Sequence, residues 1–244
     1  MCGRYSLQTP LPDLADAFDA RFALEDRGPR FNIAPTDTIA AVRPTKSGRE
    51  MAGLRWGLIP GRARDPARVP LIINARAESL ETRPAFRDLL AARRCLVPAD
   101  GFYEWRTECG VSRPYFVRRR DGGPLALAGL WDRRGAEESC AIITTDANEL
   151  LRPLHDRMPV VLSGENIDRW TDPGTRGLDR LRDVLQPSAW EFLEIYPVSV
   201  RVNRVGFDDP DCIAPEGPSI LTPESWTDRP DAGRPAPGEQ LGLF

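Results

Sequence analysis

The residue with the most unusual chemical prospect is the second one, in Met1-Cys2-Gly3-Arg4-Tyr5. A cysteine at this position is small enough for initiator methionine to be trimmed. Trimming leaves Cys2 with a free α-amine and a thiol on adjacent carbons, a 1,2-aminothiol that no internal residue can offer. The amine, with an ordinary pKa of about 7.7–8.0, is partly unprotonated near neutrality. The thiol, at about 8.5, supplies thiolate where its surroundings are electropositive. Such a pair captures aldehydes: the amine forms a Schiff base and the thiol closes it to a thiazolidine. It can also act as an N-terminal nucleophile on acyl groups. The simpler reading of the pentapeptide alone is a small buried residue behind a retained methionine.

Other groups able to carry protons lie far along the chain. In Gly101-Phe102-Tyr103-Glu104-Trp105, period-2 alternation puts Phe102 and Glu104 on one face and Tyr103 and Trp105 on the other. A glutamate sharing a face with phenylalanine is either a paired structural acid or a site residue. His155 is the only histidine and stands beside Asp156 and Arg157, just before an apolar run. A lone histidine argues against a zinc site or a histidine-rich metal centre. Leu71-Ile72-Ile73 predicts a strand delivering Asn74-Ala75-Arg76-Ala77-Glu78 at its end, where polar groups are held rigid beside open space.

The elements that must position these groups are short. Leu11, Leu14, Ala15, Phe18 and Phe22 fall at helical spacing, with Pro12 suited to a first turn. A second helix is expected from about Arg83 to Ala92, and others over Gly164–Thr171 and Leu178–Leu185. Strands are expected at Ile39–Val42, Met51–Leu58, Cys95–Pro98, Gly101–Trp105, Tyr115–Arg118, Leu125–Trp131 and Cys140–Thr145. Ala99-Asp100-Gly101 reads as a tight turn joining two of them. Short strands with a few helices predict one α+β domain built on mostly antiparallel sheet.

Composition bounds the classes. The 244 residues are 41% hydrophobic and 28% charged, which is ordinary for a soluble globular protein able to bury a core. No apolar run approaches a membrane span, and no basic segment leads into an apolar stretch at the start. Five cysteines without a CxxC pair fit a reducing cytosol. Lys46 is the only lysine among 33 basic residues, so arginine, suited to bidentate phosphate contacts, supplies the positive charge. A GC-rich genome would give the same bias. Residues 206–244 hold eight acids against two arginines and many prolines and glycines, which predicts a largely disordered acidic tail after a domain spanning residues 1–205.

Seven segments, taken together, resemble the SRAP (SOS response-associated peptidase) family of abasic-site processing proteins. They are Met1-Cys2-Gly3-Arg4-Tyr5, Asn32-Ile33-Ala34-Pro35, Trp56-Gly57-Leu58-Ile59-Pro60, Asn74-Ala75-Arg76-Ala77-Glu78, Pro98 to Trp105, His155-Asp156-Arg157-Met158-Pro159 and Pro197-Val198-Ser199. They occur in family order. The resemblance implies a single domain whose antiparallel sheets form a barrel-like core flanked by helices, with a basic groove leading to the N-terminal cysteine. It implies covalent capture of abasic sites in single-stranded DNA as a thiazolidine crosslink, with autocatalytic removal of what precedes Cys2 and abasic-site lyase activity as companions. It assigns Cys2, Asn74, Glu104 and His155 to the reactive site, and Arg4, Arg76, Thr144 and Arg157 to DNA contacts. A monomer in the cytoplasm, nucleoid-associated when bound to DNA, with no cofactor, metal or membrane, is the implied setting. The chain departs from some members in the loop of residues 61–68, which carries arginines and no aromatic residue.

Two other readings stand beside this one. Glutamine amidotransferase domains, which are N-terminal-nucleophile amidohydrolases, also begin Met-Cys-Gly, but their Arg-His-Arg-Gly segment is absent here. A non-covalent single-stranded-DNA-binding module would leave Cys2 incidental. A sequence pI of about 5.4 weakens a purely electrostatic binder, although local charge can override net charge.

Overall fold

The computed structural model describes residues 2–63, 70–108 and 110–226. Its strands are β1 (Tyr5–Leu7), β2 (Ala20–Phe22), β3 (Arg30–Ile33), β4 (Thr38–Thr45), β5 (Gly48–Trp56), β6 (Asn74–Arg76), β7 (Arg94–Ala99), β8 (Gly101–Glu108), β9 (Val111–Arg119), β10 (Leu125–Arg134), β11 (Glu137–Asp146), β12 (Arg157–Pro159), β13 (Val161–Leu162) and β14 (Leu193–Pro197). Its α-helices are α1 (Leu11–Ala17), α2 (Pro84–Ala92) and α3 (Glu165–Thr171). The smaller sheet runs β14-β9-β8-β1-β3, and the larger runs β12-β11-β10-β7-β4-β5-β2. β5 also returns to pair with β11, so β11, β10, β7, β4 and β5 form a ring of pairings. That ring rests on one residue pair between β4 and β7 and two between β5 and β11. The core is therefore barrel-like without being a continuous barrel. The α+β class read from the sequence is the observed one.

Three layers of side chains follow from strand alternation. Between the sheets lie Tyr5, Phe102, Tyr115 and Ile195 from the smaller sheet and Ile39, Leu54, Val97, Leu127 and Ile142 from the larger. Alternate residues of the larger sheet, including Val42, Leu96, Leu130 and Ile143, turn outward under Leu14, Phe86, Leu89 and Trp170 of the three helices. The outer face of the smaller sheet, with Tyr103, Phe116 and Tyr196, is covered by the segment carrying Val202 and Cys212.

Several expectations are corrected. Helical spacing from Leu11 to Phe22 ends at Ala17, because Phe18 and Asp19 turn the chain into β2, with Asp19 at φ 47°. Ile72 makes only an isolated bridge to Leu58, and the ordered strand is Asn74–Arg76 itself. Over 178–185 the helix is a single 3₁₀ turn, Leu178–Arg180. The turn at Asp100 joins β7 and β8, which belong to different sheets and form no hairpin. The Asp100 carboxylate accepts hydrogen bonds from the Gln8 and Thr9 backbone N–H groups and from Thr9 Oγ1, so the corner is tied to the strand carrying the N-terminus.

Gly101 makes that corner possible. A Cβ there would lie 2.3 Å from Phe116 Cζ and 2.6 Å from the Val117 carbonyl oxygen. The carbonyl belongs to a paired strand and cannot step aside. Gly101→Ala should therefore cost about 3 kcal/mol in urea unfolding, at the upper end for overpacking. A cost below 1 kcal/mol would show that the corner relaxes.

The expected tail begins too early. Ile220 exchanges backbone hydrogen bonds with Ile195 on the edge of β14, and Trp226 is 6% exposed within the central core. Asp208 accepts hydrogen bonds from the Phe31 and Asn32 N–H groups, while Asn32 Nδ2 donates to the Val202 and Phe207 carbonyls. Acidic and proline-rich composition hid these anchors. Residues 227–244, Cys109 and most of the arginine-bearing 61–68 loop lie outside the described residues.

Candidate active site at the N-terminus

Cys2 is fully buried in the central core, in the cluster that also holds Tyr5 and Trp56. Two elements hold it from different sheets. β1 pairs with β8 through Tyr5 and Phe102, and the Tyr103 N–H donates to the Arg4 carbonyl at 3.0 Å. Glu104 lies two residues beyond Phe102 on β8, as Gly3 lies two residues before Tyr5. From the larger sheet, Asn74 Nδ2 donates to the Cys2 carbonyl at 3.0 Å. Trp56 locks these two supports together. Its ring meets Tyr5 edge-on at 5.4 Å, and its Nε1 donates to the Ile73 carbonyl next to Asn74.

Phe102 and Glu104 share the inward face, and Tyr103 and Trp105 the outward one, as alternation requires. Glu104 is 2% exposed. Burial pushes the Cys2 thiol well above its ordinary value, and the nearby Glu104 carboxylate pushes it further; the Arg4 backbone N–H, bonded to the sulfur, works against both. The thiol therefore stays protonated at neutral pH. Asn74 Oδ1 is buried and has no hydrogen-bond partner among the described residues. An amide whose N–H already holds Cys2 thus keeps an acceptor ready for an amine or a hydroxyl.

His155 sits in the turn before β12, between Leu154 and Met158 of the Cys2 cluster. Its Nδ1 accepts from the Arg157 backbone N–H at 2.9 Å and lies 2.9 Å from an Asp156 oxygen. The two contacts ask for opposite protonation of Nδ1. The Asp156 side chain is 84% exposed and well solvated, so the backbone contact is the better guide.

The four residues assigned to DNA contacts are not presented alike. Arg76 is exposed. Thr144 stands opposite Arg76 in the β6–β11 register, is fully buried, and its Oγ1 has no hydrogen-bond partner among the described residues. Arg4 is turned to the other side of β1, where its guanidinium donates to Asn32 Oδ1 and the Val202 carbonyl. Arg157 is 9% exposed and donates to both oxygens of Glu78, to Asp146 and to the Thr144 carbonyl. Glu78 was missed as a partner. It lies four residues beyond Asn74, and its pair with Arg157 ties the asparagine segment to the histidine segment. Only the topology, which lays β6 and β12 on either side of β11, brings them together.

Burial of the thiol has a consequence for stability. A thiol raised in the fold binds its proton more tightly there than in the unfolded chain, so its contribution is complete below about pH 8.5 and is lost as pH rises above it. Cys95 and Cys140 are raised by burial in the same direction, Cys140 to about 12. Unfolding free energy should fall above that pH by about 1.4 kcal/mol per pH unit for each such thiol. Cys2→Ala should remove one share of the slope; an unchanged slope means that Cys2 is not buried in solution.

The fold is an α+β domain that buries its second residue between two sheets and holds it from the larger one through Asn74. Comparison with known proteins gives that class a family. The model for SOS response associated peptidase (SRAP) matches residues 1–205. The chain is 38% identical over 221 residues to the abasic site processing protein YoqW of Bacillus subtilis, covering 87% of this chain and 99% of that protein. It is 31% identical over 180 residues to the abasic site processing protein YedK of Escherichia coli, covering 70% and 79%. A crystal structure from Bordetella bronchiseptica matches with a TM-score of 0.69 at 29% identity, over 82% of this chain and all of that one. One from Bacteroides thetaiotaomicron matches with a TM-score of 0.77 at 23% identity, over 87% and 98%, a likeness of fold. The chain belongs to the SRAP family. Among the described residues no group of histidines, cysteines and acids could hold a metal ion, and no helix is long and apolar enough to cross a membrane.

Proposed function

We propose that this protein processes abasic sites in DNA, and that it captures them covalently in single strands through Cys2 once Met1 is removed. The observation that carries the reading is the clamp on Cys2: Asn74 holds its carbonyl from one sheet, and the buried Glu104 carboxylate of the other lies near enough to act on its thiol. The names of the relatives support abasic DNA as substrate. A ring-opened abasic sugar exposes an aldehyde. The Cys2 amine adds to it, and the carbinolamine loses water to give an imine. The thiol then adds to the imine carbon and its proton passes to nitrogen, closing the thiazolidine with net loss of one water. A thiol held protonated makes the amine the first nucleophile. In this reading Glu104 accepts the thiol proton as sulfur attacks, and His155 serves the departing water. The same pair would serve hydrolysis of the Met1–Cys2 bond and release of the strand at the abasic site, the companion activities.

Arg76 supplies an exposed cation for the DNA backbone, so binding weakens with salt. The test is the intact mass of the purified protein after incubation with abasic single-stranded DNA. A denaturant-resistant species equal to protein without Met1 plus DNA minus one water supports the reading. No covalent gain overturns it, and release of ammonia from glutamine would favour an amidohydrolase instead. Glu104→Gln should slow adduct formation by about 10²-fold, as for loss of a general base. Its binding to intact single-stranded DNA, read by anisotropy at several salt concentrations, should not change. A wild-type rate would remove Glu104 from the proton path.

A further inference from the structure

We infer that Trp226, which lies beyond the family-matched residues, is a positioning residue that sets the His155 turn against the strand carrying Glu104. The inference rests on the reading that Glu104 and His155 serve one reaction at Cys2. Residue 115 stands opposite Glu104 in the β8–β9 register, so the Tyr115 and Glu104 side chains lie on one face. The Trp226 ring packs at 5.6 Å on Tyr115, and the Arg106 guanidinium, two residues beyond Glu104 on that same face, sits 5.2 Å over the indole. The indole Nε1 donates to the Leu150 carbonyl at 2.8 Å. Leu150 belongs to the turn that ends at His155, whose N–H donates to the Leu151 carbonyl. One side chain therefore touches both supports: the strand pair beneath Glu104 and the turn beneath His155.

The indole acts through the backbone it holds. Its own place is secured by the Ile195–Ile220 pairing and by the Arg120 guanidinium, which donates to the Leu221 carbonyl.

His155 is the only histidine, so labelled imidazole gives an unambiguous signal in the intact chain. Trp226→Phe keeps a ring on Tyr115 but removes the donor to Leu150. It should shift the His155 ring resonances at fixed pH, while Trp131→Phe, in the larger sheet, should not. In single-turnover reaction with abasic DNA it should slow adduct formation about fivefold, the scale of one neutral hydrogen bond, with half-saturating DNA unchanged. In a His155→Ala background the further slowing should vanish. Unchanged imidazole signals, or equal slowing in both backgrounds, would overturn the inference. Amide exchange in the wild type gives a variant-free arm: Leu151–His155 should open together with the Trp226 indole N–H, and opening of the turn about tenfold more often overturns the coupling. If wild type forms no adduct, the crosslinking reading fails, and the imidazole and exchange measurements still decide the role of Trp226.

Discussion

A chain that keeps any residue in front of Cys2 should form no denaturant-resistant adduct with abasic DNA. The reason is geometric. With a residue in front, the terminal amine and the Cys2 thiol no longer sit on adjacent carbons, and the ring that seals the adduct cannot close. The amine itself remains, so an imine still forms and can be trapped by borohydride. Cys2→Ala, with Met1 removed, isolates the other half: amine present, thiol absent, imine trappable, sealed adduct absent. Ring closure by a thiol on the neighbouring carbon is intramolecular, and such reactions gain very large effective concentrations. Loss of sealed adduct on the order of 10⁴-fold is therefore expected in both chains. Intact mass with and without borohydride separates the cases. A sealed adduct from the Cys2→Ala chain would place the chemistry on another residue. One from a chain with a residue retained ahead of Cys2 would mean that a ring is not what seals it.

How the chain brings these groups together was legible in the sequence only in part. Alternation in the 101–105 segment correctly set Glu104 on the same face as Phe102, because a strand between two packed layers has no other periodicity; that this face is the inward one needed the structure. The helix at 84–92 and the inner strands β10 and β11 were equally plain, since their apolar faces are long enough to outweigh local exceptions. What stayed hidden was pairing across distance. Nothing local says that Asp100 turns the chain from one sheet to the other, because the same three residues would suit a hairpin. What decides it is Gln8 and Thr9, bound to its carboxylate more than ninety residues away in sequence. Arg157 shows the same limit. Its charge suits a phosphate, yet Glu78, Asp146 and the Thr144 carbonyl surround it. Burial would lower its pKa, and the bonds and charges of those acids raise it instead, so the guanidinium is a fastening between β12 and the segment after β6. Arg4 is likewise engaged by Asn32 and Val202, leaving Arg76 as the exposed side chain among the four residues assigned to DNA.

Ending the chain at residue 205, where the family match stops, should bring the domain to the edge of unfolding. Composition alone invites that truncation, because the stretch that follows is acidic and rich in proline and glycine. The structure makes it costly. Removing Trp226 empties a place in the central core against Tyr115, and loss of a buried aromatic side chain costs about 3–5 kcal/mol. The same cut removes Ile220 and Cys212, both fully buried, and the Asp208 carboxylate that receives the Phe31 and Asn32 N–H groups. Asn32 Nδ2 would also lose its bond to the Phe207 carbonyl. Together these exceed about 5 kcal/mol, the lower bound of the stability that domains of this size possess. Urea unfolding should therefore show a midpoint near zero denaturant, or a chain recovered unfolded. A chain ending at Trp226 keeps every one of these contacts. If residues 1–205 alone melt within a few degrees of that longer chain, the 206–226 segment is a surface strap and not part of the cooperative core. If the short chain collapses as expected, the working domain of this protein reaches some twenty residues past the family match, and the indole at its end belongs to the same folded unit as the cysteine at its start.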